Sequence, residues 1–325
     1  MSAIERRTDP DNELRAISSK LDQRDLAILR ALLEHKVLTT EQISILFFRS
    51  LRRCQQRLRE LTELGIVASF EPKRDFARGR PPDHRFLTAF GVSVLAHKDG
   101  VPRGEFPWVP DENYEDNRNL PHRMGVNAFF CALVEASRTT DGHCLHRWAP
   151  ERKVRTKAGK IQPDGFGRYL HAAGACQFYL EYDRGTEGPT ALAAKLRSYL
   201  RFAAGWGEGA AFPNVLVVVP TSSREGEVGE ALAAAGRGSG KKADLPLFVA
   251  SEELLNARGV LGVVWLTPDA EGKRLQLTEL PTVDATPYER GRCLGHTWTD
   301  PSARSRISPL STTPRFPIRH PRGTR

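Results

Sequence analysis

Three carboxylates punctuate the stretch "PDGFGRYLHAAGACQFYLEYD", which runs from Pro163 to Asp183. Asp164 follows a proline, and Glu181 and Asp183 close an apolar run. Strand alternation in "QFYLEYD" points Gln177, Tyr179, Glu181 and Asp183 one way and Phe178, Leu180 and Tyr182 the other. Glu181 and Asp183 then share a face, about 7 Å apart by strand rise. Asp164 sits in the preceding strand, joined through a short turn around "HAAGA", and can lie beside them. Hard oxygen ligands so spaced suit Mg²⁺ or Mn²⁺, with Asp164 and Glu181 as the metal ligands. A metal held there activates water and neutralises a phosphate, which makes Asp164, Glu181 and Asp183 candidate catalytic residues. The competing reading is that these acids are only the polar ends of two strands.

Other groupings offer less. In "GHCLHRW", alternation sets His143 and Cys144 on opposite faces, which argues against a tight metal site with His146. The five cysteines are odd in number and show no C-x-x-C spacing. Neither a disulfide framework nor a zinc site is expected from them, and a reduced cytoplasm fits best.

The 325 residues suggest two domains, and an apolar fraction of 40% is enough for real cores. The net charge of +9 favours a polyanionic partner. That charge is uneven: from Thr286 onward there are eight Arg or Lys against two Asp or Glu. The part expected to fold is only mildly basic. No apolar run approaches the ~18 residues of a membrane span, so no membrane partner is expected. The opening "MSAIERRTDPDNELR" lacks the apolar core of a signal peptide.

The elements that must position a site read in order along the chain. Residues 1–20 are polar and read as a disordered arm. "LDQRDLAILRALLEHK" reads as a helix capped by Asp22, with Leu26, Leu29 and Leu33 on one face. A second helix opens at "TTEQISILFF", capped by Thr39 or Thr40. A third runs through "SLRRCQQRLRELTEL" and stops at Gly65. "IVASFEPKR" and "HRFLTAF" are strands around the basic tip "DFARGRPPD", and "AFGVSVLAHK" is a closing helix. Three helices, a strand, a basic loop and a strand give the order of a winged helix over residues 21–98.

On the third helix, Leu51, Cys54, Leu58 and Leu61 form the apolar quarter. Arg49, Arg52, Arg53, Gln56 and Arg59 lie opposite, with Arg57 flanking. In a helix-turn-helix unit that outer face enters the major groove, where Arg reads guanine or phosphate and Gln reads adenine. The loop adds Lys73, Arg74, Arg78 and Arg80, suited to phosphates or a minor groove. Double-stranded DNA is the expected partner, and a solvated basic face in a protein-contact domain is the alternative.

Residues 99–118 are rich in Pro, Gly and acids and read as a linker. Residues 119–285 then give the pattern α-β-β-β-α-β with additions, and 286–325 read as a basic disordered tail. The expected fold class is thus α+β or α/β: an N-terminal winged helix-turn-helix domain followed by an α/β domain.

The second block resembles the PD-(D/E)xK nucleases, whose restriction-endonuclease-like core has this element order. Pro163, Asp164 and Glu181 match that motif, whereas Asp183 stands where the motif places lysine. Some members supply the lysine from the following helix, and the resemblance makes Lys195 the catalytic candidate. On the helical wheel Lys195 lies beside Leu192, Tyr199 and Phe202, on the inward side.

The whole arrangement is similar to the replication-relaxation family of plasmid and integrative-element proteins. The winged helix, "HRMGVNAFF", "QPDG", "FYLEYDRGTE" and "LAAKLRSY" carry the resemblance. It implies a DNA-binding accessory role in replication, DNA relaxation or mobilisation. The implied partners are replication or mobilisation proteins, with a homodimer as one expected assembly. A metal-dependent DNA endonuclease and a winged-helix transcriptional repressor are the alternatives.

Overall fold

The structure is a computed structural model that describes residues 10–72, 83–106, 119–155, 161–207, 211–237, 245–268, 272–286 and 293–294. The chain divides into two compact units, with the boundary after Leu120.

The first unit comprises α1 (Pro10–Ser18), α2 (Gln23–His35), β1 (Val37–Thr39), α3 (Thr40–Phe47), α4 (Leu51–Glu63), β2 (Val67–Phe70), β3 (His84–Leu87) and α5 (Ala89–Asp99). Local chemistry sets the limits of these helices. Asp22 caps α2 in a reciprocal box with Asp25, and Thr39 caps α3 in one with Gln42. Gly65 takes the left-handed conformation just past α4 (φ 69°) and turns the chain into β2. β3 lies between β1 and β2, antiparallel to both. Ile28, Leu29, Leu32, Leu38, Ile43, Leu58 and Leu61 fill the centre.

Two expectations change here. Residues 10–18 are not part of a disordered arm. They form α1, whose half-buried Leu14 and Ile17 sit one helical turn apart, and α1 packs against α5. Leu51 is not a core residue; at the first turn of α4 it is 43% exposed. The core stripe of α4 begins only at Cys54.

The second unit comprises α6 (Leu120–Arg138), β4 (Cys144–Pro150), α7 (Glu151–Val154), β5 (Gly165–His171), β6 (Gly174–Tyr182), α8 (Pro189–Ala204), β7 (Asn214–Val219), α9 (Ser222–Gly236), β8 (Leu247–Ser251), α10 (Glu252–Arg258), β9 (Trp265–Leu266) and β10 (Arg274–Leu275). The sheet runs β10-β9-β8-β7-β6-β5-β4. β4, β5 and β6 form an antiparallel meander, and β7 joins β6 in parallel after the α8 crossover. This is the α-β-β-β-α-β core of a restriction-endonuclease-like domain, extended by β8–β10.

Alternation along β6 sorts the two faces. Tyr179 and Glu181 face α8, where Tyr199 meets both. Phe178 stacks on Phe130 of α6, and Tyr182 lies over Gly125 of the same helix. That close approach requires glycine at 125, because an added Cβ would stand 2.2 Å from the Tyr182 ring.

The cysteine expectation is also overturned. Cys144 on β4 forms a disulfide with Cys293, 149 residues along the chain. Spacing rules read local motifs; this pair is made by the topology that brings residues 293–294 to an edge strand. Cys293 and Leu294 therefore do not belong to a disordered tail. Residues 295–325 lie outside the described residues.

Gly125→Ala is expected to destabilise the second unit by about 1–3 kcal/mol, since the overpacked ring must move. Urea denaturation checks this. In a Tyr182→Ala background, where the obstacle is gone, the same Gly125→Ala change is expected to cost less.

Candidate nucleic-acid interface and acidic centre

The structure separates the basic residues of α4 and the turn before it into two groups; Arg49, expected on the helix, precedes it in that turn, because α4 begins only at Leu51. Arg49, Arg52, Arg53, Gln56 and Arg59 are exposed, and the four arginines form no ion pair among the described residues. Gln56 makes one long contact, 3.5 Å, to Glu60. Arg57 differs. Its Nε donates to Asp25 Oδ1 at 2.8 Å, Nη2 donates to Asp25 Oδ2, and Nη1 pairs with Glu60. Asp25 is 1% exposed, so this fork neutralises a buried charge and ties α4 to α2. The expectation that Arg57 reads DNA is therefore corrected: its guanidinium is used inside the fold. Lys73, Arg74, Arg78 and Arg80 of the wing lie outside the described residues.

The acidic centre is built by the β5–β6 register. Gly165 pairs with Leu180, which sets Asp164 beside the end of β6. The Asp164 backbone donates to Leu180 O at 2.9 Å, and its Oδ2 accepts from the Tyr182 backbone at 2.8 Å. Asp164 Oδ1 faces His122 Nε2 of α6 at 2.9 Å. This hydrogen bond is the main reason that the His122 pKa is raised, with burial opposing it.

Glu181 lies within the same centre and is 3% exposed. Its Oε1 accepts from the Tyr199 hydroxyl at 2.5 Å. Lys195 Nζ stands 3.2 Å from its Oε2 and 3.0 Å from Glu187 Oε1. Lys195 thus forms an ion pair with each acid, and its contact to Oε2 favours the charged form of Glu181. Burial, then the charge of Asp164, push the Glu181 pKa up to about 7 against the pull of Lys195. For Lys195, burial works against the charged form, but Glu181 and Glu187 outweigh it and the pKa is raised.

Asp183 leaves this group. Its Oδ2 takes a two-pronged contact from Arg224 of α9, at 2.8 Å from Nε and 2.7 Å from Nη2. Its Oδ1 accepts from the Gly185 backbone at 2.8 Å. Both oxygens are thus used to shape the turn after β6, and the candidate catalytic role of Asp183 is corrected to a structural one. The structure brings together Asp164, Glu181 and Lys195 and adds His122 and Tyr199. His122 lies in the "HRMGVNAFF" helix but belongs to no periodic or spacing signal. Tyr199 reads as an ordinary core position of α8.

A winged helix and a restriction-endonuclease-like domain with an Asp-Glu-Lys centre define the class. A family model described as "Replication-relaxation" matches residues 29–215, more than half of the chain. The chain belongs to the replication-relaxation family. No curated protein matches it.

Two solved structures share partial likeness. One is a protein with a GntR superfamily winged-helix-turn-helix domain from Halomicrobium mukohataei. It is 22% identical at a TM-score of 0.24, over 30% of this chain and 71% of that one. The other is the restriction endonuclease FokI bound to DNA. It is 13% identical at a TM-score of 0.27, over 77% of this chain and 45% of that one.

Two outcomes are expected. Asp25→Ala strands the Arg57 fork and opens a buried gap, costing about 3 kcal/mol in chemical denaturation. Glu181 gives a pH signature. Its pKa is higher folded than unfolded, so the folded state holds the extra proton, and stability falls as pH rises from about 4.5 to about 7. The difference between wild type and Glu181→Gln, measured across that window without metal, is expected to show this loss in the wild type alone.

Proposed function

We propose that this chain is a DNA-binding accessory protein acting in the replication, relaxation or mobilisation of a plasmid or integrative element. The observation that best supports it is the outer face of α4, where Arg52, Arg53 and Arg59 are exposed and unpaired among the described residues, with Arg49 likewise in the turn before the helix. In helix-turn-helix docking this helix enters the major groove, and unpaired guanidinium groups reach guanine edges or phosphates there. Membership of the family agrees with a replication-linked role. The basic residues of the wing would add backbone contacts.

A second reading, a Mg²⁺- or Mn²⁺-dependent DNA endonuclease, is favoured by one observation. Buried Glu181, with Lys195 at 3.2 Å from its Oε2, stands in a centre that also holds Asp164. That donor set fits a hard divalent cation, with Asp164 and Glu181 as the residues that would hold it. Such an ion supplies water activation and neutralisation of phosphate charge. Among the described residues no three His, Cys, Asp or Glu cluster as a metal site, so the remaining positions would fall to backbone oxygen, water or DNA. Lys195 would contribute a cation toward a phosphate, and His122 would orient Asp164.

The tests separate the two readings. Arg52→Ala with Arg53→Ala is expected to weaken duplex binding by roughly tenfold or more, from ~1–3 kcal/mol per base-reading arginine. Arg197→Ala with Arg201→Ala, on the exposed side of α8, is the control and is expected to change little; equal losses would remove α4 from the interface. For the metal, Mn²⁺ is expected to raise the melting temperature by mass action, and Asp164→Asn to abolish the rise. Calorimetry showing no Mn²⁺ uptake with or without DNA would end the endonuclease reading and leave duplex binding untouched.

A further inference from the structure

Residues 281–285 and 293–294 are fastened to the second unit at successive points. Asn214 Nδ2 donates to Pro281 O at 2.8 Å. Val283 exchanges two backbone hydrogen bonds with Ala175, at 2.8 and 3.0 Å. Arg168 Nη2 donates to Asp284 O at 2.9 Å. Gly174 permits this approach: its φ is 145°, and an added Cβ would stand 2.7 Å from Val283 O. Val283, Ala285 and Cys293 then pack on Cys144, Leu170 and Ala175. The last fastening is different in kind. Leu294 donates to Leu145 O at 2.9 Å, and this single backbone bond sits beside the Cys144–Cys293 disulfide. Residues 281–285 are held by non-covalent contacts, whereas at residues 293–294 such contacts are joined by a bond that thiols can break. Six arginines and one acid follow Leu294 in the sequence.

We propose that Cys144 and Cys293 form a reversible thiol–disulfide latch that docks the root of the basic C-terminal segment on the edge strand β4. In the closing direction a small-molecule disulfide is the oxidant. One cysteine thiolate attacks it, giving a mixed disulfide and one free thiol. The second cysteine thiolate attacks the protein sulfur of that mixed disulfide, forming the Cys144–Cys293 bond and expelling the second thiol. Two electrons pass from the protein thiols to the oxidant, which leaves as two thiols carrying the two protons. A dithiol reverses the steps. Cys54, Cys131 and Cys176 take no part, because all three are buried and burial pushes their thiol pKa values up. Closing the latch ties Cys293 covalently to β4, and a change in duplex affinity is expected because six arginines follow in the sequence. This last effect rests on the DNA-binding reading, whereas the latch itself does not.

The full chain is equilibrated with oxidised or reduced glutathione, alkylated after unfolding and mapped by mass spectrometry. The expected result is a Cys144–Cys293 crosslink under oxidation and five free thiols under reduction. Amide exchange at residues 293–294 and along β4 is expected to slow on oxidation, while Ala175 and Val283 stay protected in both states. The melting temperature is expected to rise by roughly 5–10 °C on oxidation, and not in Cys293→Ser. Failure of the crosslink to form under oxidised glutathione, or a crosslink that leaves exchange at 293–294 unchanged, overturns the latch. Duplex affinity is expected to differ at least threefold between the two states of the wild type and not in Cys293→Ser. Equal affinities would overturn the effect on DNA. No duplex binding in either state would overturn the DNA-binding reading while the crosslink and exchange data still stood for the latch.

Discussion

A carboxylate held out of water governs the second unit. Glu181 is buried on the α8 side of the sheet, and an isolated charge there is costly unless it is paired or protonated. The neighbouring elements answer that requirement. α8 supplies the Tyr199 hydroxyl and the Lys195 ammonium, and the loop before α8 supplies Glu187 to steady that ammonium. The β5–β6 register brings Asp164 to the same end of the sheet, where α6 contributes His122. Fold stability alone would be served as well by an apolar residue at 181. A buried acid with a raised pKa beside a second carboxylate is instead the kind of group that functional sites keep.

The turn after β6 shows the opposite use of charge. Asp183 is as buried as many core residues, yet Arg224 and the Gly185 backbone use both of its oxygens. Arg224 also donates to the Glu187 carbonyl, so the segment that carries Glu187 toward Lys195 is clamped from α9. Two acids two residues apart on one strand therefore have different fates. One is clamped by Arg224 and a backbone amide, and the other meets Tyr199 and Lys195 beside a second carboxylate.

Much of this was legible in the residues. Period-two alternation in "QFYLEYD" separates the α6 side from the α8 side, as Phe178 and Tyr179 show. Caps at Asp22 and Thr39 and the glycine at 65 set helix limits through local hydrogen bonds and backbone sterics. The inward placement of Lys195 followed from helical spacing. What escaped depends on contacts distant in sequence. The partner of Asp183 lies 41 residues away, that of Arg57 lies 32 residues away, and that of Cys144 lies 149 residues away. Nothing local marks Arg57 as different from Arg53 or Arg59; only the buried acid on α2 makes the distinction. The exposure of Leu51 escaped for a related reason, since a helical wheel carries no information about where the core ends along the axis.

The single fork from Arg57 to Asp25 also bears on how this helix can change over time. It concentrates the fold's demand on α4 into one arginine and a short apolar stripe, and it leaves the remaining cationic positions free of any internal partner among the described residues. Substitutions at 49, 52, 53 and 59 then alter what the surface meets without disturbing what holds the helix in place. Stability and recognition become separable axes of variation, so a lineage could drift from one binding sequence to another through intermediates that all fold.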